Sequence, residues 1–132
     1  MEKVGNRYRD IRFYSEKNGE MVSVHSYEAK KYAGKLENDE GVKSFKANVE
    51  LEGFQDKISL AGIRKLYREC SWTSSFLLEK VDGGVAVREV VGADALEKRS
   101  ELEKLELSRR YWTAAHVDDW SIVQIDIERL EW

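Results

Sequence analysis

Hydrophobic and polar residues alternate most clearly over residues 10–27, DIRFYSEKNGEMVSVHSY. Ile11, Phe13, Val22 and Val24 fall on one side of two short strands, and Arg12, Tyr14, Met21 and His25 on the other. Asn18-Gly19 between them fits a two-residue type I′ turn, which requires positive φ at both central positions. That register pairs Lys17 with Glu20, Phe13 with Val24 and Arg12 with His25, and points the first face at the core.

The period then lengthens. Residues 28–37 offer Ala29, Tyr32, Ala33 and Leu36 to a short helix, which Gly34 weakens. Residues 38–41, NDEG, read as a loop. Residues 42–54 return to strand alternation, with Phe45, Ala47, Val49 and Leu51 on one side. Residues 59–70 read as an amphipathic helix: Ser59 caps it, and Leu60, Ile63, Leu66, Tyr67 and Cys70 recur at helical spacing. Residues 74–92 form a second hairpin around Asp82-Gly83-Gly84. Its register is open, because two- and three-residue loops turn different side chains inward.

Asp94 followed by Glu97 resembles a capping box. It starts a long helix over residues 95–115 with a stripe of Leu102, Leu105 and Trp112, flanked by Leu107 and Tyr111. In the last segment, SIVQIDIERLEW, Val123, Ile125 and Ile127 alternate with Gln124, Asp126 and Glu128. The sum is a single α+β domain over residues 1–132: a mostly antiparallel sheet of five to six strands with two to three helices packed on one face.

Composition narrows the class. Charged residues make up 36% of the 132 positions, above the roughly 25% of an average domain. Net charge is −3, and the first and second halves carry +2 and −5, so neither half is a basic platform for phosphate neutralisation. Cys70 is the one cysteine, which excludes an intrachain disulfide. With no signal-peptide pattern and no apolar run of membrane-spanning length, the expected home is a reducing cytosol, the host's if the source is viral.

The stretch RRYWTAAHVDDW, Arg109 to Trp120, concentrates the candidate chemistry. One histidine and two adjacent aspartates are a fragment of a metal site, which needs three or four converging ligands. His116 is expected at the end of the long helix, where an imidazolium meets the terminal carbonyls, and Asp118 and Asp119 in the turn that follows. An enzyme built on Cys70 and His116 would need a cation or helix N-terminus to make the thiolate, and Cys70 sits at a helix C-terminus instead. The glycines of VDGGVAV fit a turn better than a nucleotide cradle. Neither cofactor nor metal is implied.

Two surfaces suit macromolecular partners. Lys30, Lys31 and Lys35, with Arg64, Lys65 and Arg68, could form a nucleic-acid-binding surface with Tyr8, Tyr14 or Tyr32 nearby. The C-terminal region makes the opposite case: His116 to Trp132 contains five acids and one arginine, in a chain with four Trp and six Tyr. Trp and Tyr are enriched at interface hot spots. The expectation is therefore a non-enzymatic protein-binding domain that docks Tyr111, Trp120, Asp126, Glu128 and Trp132 on a basic site of its target. Occlusion of that kind suits an inhibitor or immunity-type protein, including those of phages and mobile elements. A nucleic-acid module using Lys30, Lys31, Arg64 and Arg68 is the alternative, followed by a small-ligand-binding domain or a Cys/His enzyme.

Overall fold

A computed structural model describes residues 10–126. The elements run β1 (Ile11–Ser15), β2 (Glu20–Val24), α1 (Tyr27–Glu37), β3 (Val42–Glu50), α2 (Lys65–Arg68), β4 (Thr73–Lys80), β5 (Val85–Val91), α3 (Arg99–Ala114) and β6 (Asp119–Gln124). Short 3₁₀ turns occur at Phe54–Asp56 and Ala95–Glu97. Strands β1 and β2 form an antiparallel pair, and β3-β4-β5-β6 form a mixed sheet in that order. The class is α+β, with six strands and three helices among the described residues. Among the described strands β6 alone runs parallel to its neighbour, β5, and α3 supplies the crossover that a parallel connection requires. No helix among the described residues is long and apolar enough to cross a membrane.

The centre of the sheet is buried on both faces. Leu78 pairs with Ala86 and faces α1, whose Ala29, Ala33 and Leu36 pack there with Phe45, Phe76 and the inner side of the β1–β2 hairpin. Leu77 pairs with Val87 and faces the other way, toward Leu107 and Trp112 of α3 and toward Leu51, Phe54, Ile63 and Trp72. Successive strand residues point to opposite faces, so the adjacent buried residues Ala86 and Val87 need cover on both sides. The main helices accordingly lie on opposite faces of the sheet, whereas the periodicity had suggested one.

The first hairpin keeps its expected faces but not its expected turn. Ser15 pairs with Glu20, leaving a four-residue loop over residues 16–19, and Phe13 pairs with Val22. Gly19 takes φ +73°, while Asn18 is not among the positive-φ residues that a type I′ turn would require. Asn18 is engaged elsewhere: its Oδ1 accepts the Phe45 N–H of β3 at 2.9 Å. The register moves by two residues, which preserves every face, pairs Arg12 with Ser23 and leaves His25 beyond the ladder. The second hairpin has a three-residue loop, residues 81–83, closed by Lys80 N–H to Gly84 O at 2.8 Å, with Gly83 at φ +92°.

Two expected helices are shorter. Gly62 at φ +82° breaks the segment over residues 59–70, so α2 is one turn. Ser59 accepts from Ala61 N–H in a local turn, and Leu66 is exposed. Asp94 makes no side-chain cap, and Lys98 is extended at φ −109°, ψ 128°, which separates the Ala95–Glu97 turn from α3. The buried stripe of α3 is Leu105, Ser108 and Trp112 with Leu107, while Leu102 is 48% exposed.

Candidate functional site

The C-terminal aromatic and acidic residues are largely committed to packing. Tyr111 is half-buried, edge-on to Trp112 with centroids 5.0 Å apart, and the Lys57 ammonium lies 5.5 Å from its ring centre. Trp120 is half-buried and donates its indole N–H to Ser108 Oγ at 2.9 Å. Both aromatics pack against the core cluster that holds Trp112. Asp119 lies within β6, not in the turn before it. It accepts from Arg88 at 2.8 Å and Lys80 at 2.5 Å, and these two cations hold its pKa down at about 2. Asp126 is half-buried just past β6, which is an edge strand among the described residues, and Glu128 and Trp132 lie outside them.

The basic residues do not merge into one platform. Lys30 and Lys31 are exposed on α1, on one side of the sheet, with the Lys30 ammonium 5.7 Å from the Phe13 ring centre. Arg64 and Arg68 belong to the segment that covers the opposite side. Arg64 pairs with Glu103 at 3.0 Å and stacks on Tyr67. Tyr32 sits half-buried beside Phe76, 5.8 Å between centroids, and Tyr8 lies outside the described residues.

Cys70 is half-buried against the α3-side core, and its thiol donates to Leu66 O at 3.1 Å. His116 is exposed at the end of α3, in the left-handed region at φ +67°. Its N–H reaches Thr113 O at 3.0 Å and Val117 N–H reaches Trp112 O at 2.9 Å, the paired bonds of a Schellman stop. The histidine is thus a helix-end residue, as the sequence suggested. Among the described residues no group of three or more His, Cys, Asp or Glu is placed to hold a metal ion. An open depression of about 280 Å³ lies between the first turns of α1 and α3, where Glu28, Asp94, Lys98 and Glu101 surround Val90 and Ala95.

The outer face of the β1–β2 hairpin is the surface that the sequence set aside. Tyr14 lies directly across from Met21, and each is 59% exposed. Arg12 stands beside them, paired with Asp10 at 3.0 Å, and Asp10 also accepts the Ser23 hydroxyl. The Ser23 and Arg12 donors hold the Asp10 carboxyl below its ordinary range. The opposite face of the same hairpin, with Ile11, Phe13, Val22 and Val24, is in the core. The signal was present in the sequence: Tyr14 and Met21 are large apolar residues at positions the alternation assigns to solvent.

A second cluster had no signal at all. Glu89, in the middle of β5, is buried, with no cation beside it among the described residues. Its Oε1 accepts from Ser75 N–H at 3.1 Å and Ser75 Oγ at 3.4 Å, and its Oε2 from Ser108 Oγ at 2.5 Å. Ser108 meets Ser74 at 3.2 Å, and Ser74 accepts the Trp112 indole N–H at 2.8 Å. Burial pushes the Glu89 pKa up, against the hydrogen bonds from Ser108, Ser74 and Ser75.

Neither a protein-family model nor a curated protein sequence matches the chain.

Proposed function

We propose that this is a non-enzymatic domain that binds another protein, docking through the outer face of the β1–β2 hairpin. The observation that carries the reading is the exposed cross-strand pair Tyr14 and Met21 beside Arg12. Tyr, Met and Arg are enriched in interface cores. The hairpin is held rigidly from behind by Asn18 on Phe45 N–H and by Asn48 Nδ2 on Ser23 O at 2.9 Å, so docking there requires little ordering. Its action would be occlusion of a site on the target, as an inhibitor or immunity-type protein works, in a reducing cytosol that keeps Cys70 a thiol. The β6 edge, with Ile122 exposed and Asp126 beyond it, is the second contact in this reading, braced from beneath by Trp120 and Tyr111.

The test is a photocrosslinking residue placed at position 14, used in the native cell and followed by mass spectrometry. A protein partner crosslinked at 14, and lost on Met21→Ser with the melting temperature unchanged, supports the reading. Crosslinks to nucleic acid, with binding that falls steeply with salt and depends on Lys30 and Lys31, would replace it with the nucleic-acid alternative.

A further inference from the structure

Glu89 interrupts an apolar row. Val87 and Val91 flank it on the same face of β5, and both are buried against the α3 side. A bare carboxylate in such a place is costly, and the usual remedy is an ion pair or neutralisation. The charged groups on the surrounding elements are engaged elsewhere. On α3, Glu103 pairs with Arg64 and Arg99, and Glu106 with Arg109 and Arg110. Lys104 pairs with Glu101 and lies 5.7 Å from the Trp72 ring centre. Arg88, the preceding residue on β5, pairs with Asp119 of β6, as does Lys80 of β4, while Glu79 of β4 accepts from Ser44. What reaches Glu89 is hydroxyl and backbone N–H. When the carboxyl is neutral, its proton on Oε2 is donated to Ser108 Oγ in a hydrogen bond, and the Ser108 hydroxyl turns to Ser74 Oγ at 3.2 Å.

Those hydroxyls tie separate elements together. Ser75 belongs to β4, and its Oγ also accepts the Val90 N–H at 3.0 Å. Ser108 belongs to α3 and holds the indole of Trp120 on β6. On the sheet side, the carboxyl rests on β4 and β5, central strands with a neighbour on each edge. On the other side is α3, while β6 lies beside β5 in the same sheet and has, among the described residues, β5 as its single neighbour. Opening on the α3 side leaves the β4–β5 ladder intact, and because Ser108 holds the Trp120 indole, α3 carries the edge strand β6 with it.

We propose that Glu89 is a proton-operated latch: carrying its proton it locks α3 and β6 onto the sheet, and losing it releases those two elements as a unit while α1 and the β1–β2 hairpin stay in place. The linkage has a definite sign. Burial raises the carboxyl above its ordinary 4.5 in the closed form, and the opened form returns it to that value. Stability of the closed form is complete below 4.5 and declines as pH rises toward the closed-form pKa. Across that window opening becomes about tenfold more favourable per pH unit, then levels off.

Hydrogen exchange of the whole chain, from about pH 4 upward and corrected for intrinsic exchange, reads this directly. Protection factors in α3 and β6 should fall about tenfold per pH unit and then level, while those in α1 and the hairpin stay flat. Glu89→Gln should make α3 and β6 flat as well. Ser108→Ala, which removes a donor to the carboxylate, should move the levelling point to higher pH and serves if the glutamine variant does not fold. A flat profile in the unmodified chain, an equal slope in α1 and the hairpin, or a levelling point unmoved by Ser108→Ala would overturn the latch.

Discussion

The indole N–H of Trp120 donates to the hydroxyl of Ser108 across 2.9 Å, joining the edge strand to the helix that leads into it. That bond makes Trp120 a folding residue as much as a surface one. Trp120→Phe keeps the ring and loses the donor, and should cost about 1 kcal/mol, the net worth of one hydrogen bond. Trp120→Ala also removes half-buried packing and should cost about 2 kcal/mol, below the range for a fully buried tryptophan. Urea unfolding monitored by far-UV circular dichroism measures both. Equal stability of all three chains would remove Trp120 from the core and return it to the binding surface.

The same bond shows where the sequence was legible. Alternation and helical spacing located β1 to β5 and the helix after β2, because those elements bury residues that are apolar in the sequence. The last strand begins two residues earlier than expected and ends at Gln124, and the remainder of its expected range, residues 127–132, lies outside the described residues. The same patterns misplaced the stripe of α3. Leu102 faces solvent and Ser108 faces the core, since Ser108 satisfies Glu89 and Trp120 rather than adding apolar area. A polar residue buried for its hydrogen bonds leaves no mark on a hydrophobic pattern. Turn chemistry failed for a similar reason. Asn18-Gly19 is a strong local signal for a two-residue turn, but a tertiary bond to Phe45 N–H took Asn18 out of it. Gly62 falls inside the segment read as a helix over residues 59–70, and its φ of +82° ends the turn before α2. The basic clusters looked like one platform because sequence spacing does not tell which face of a sheet a helix covers.

His116 holds a position that glycine usually fills. A non-glycine residue in the left-handed region costs about 1–2 kcal/mol, partly offset in a glycine variant by the greater freedom of its unfolded chain. His116→Gly should therefore stabilise the protein by about 0.5–1 kcal/mol, leaving the Schellman bonds to Thr113 O and Trp112 O intact. A thermal melt decides it. A loss of stability would mean that the imidazole contributes more at the helix end than the backbone strain costs.

Asn48 is the other non-glycine residue at positive φ among the described residues, at +56° inside β3, and its amide donates to Ser23 O. Two substitutions separate the backbone from the bond. Asn48→Gly relieves the backbone and loses the bond, for about 1 kcal/mol. Asn48→Ala loses the bond and strains the backbone, for about 2 kcal/mol. If the two variants unfold at the same denaturant concentration, the positive φ carries no cost at this position.

Asp119 gives the fold an acid limit opposite in sign to that of Glu89. Arg88 and Lys80 hold its carboxyl at about 2, against an ordinary 3.8. The ionised form is thus the one the fold favours: its contribution is complete above 3.8 and is lost as pH falls toward 2. The side chain is 37% exposed, so solvent screening reduces the contribution to about 1 kcal/mol. Asp119→Asn should lower stability by that amount at neutral pH, because Arg88 and Lys80 lose their counter-charge. The gap between variant and parent should close as pH falls through the carboxyl's titration. Urea midpoints measured at successive pH values test the closing directly. A gap that persists undiminished at the acid end would assign the loss to packing at the start of β6 rather than to charge.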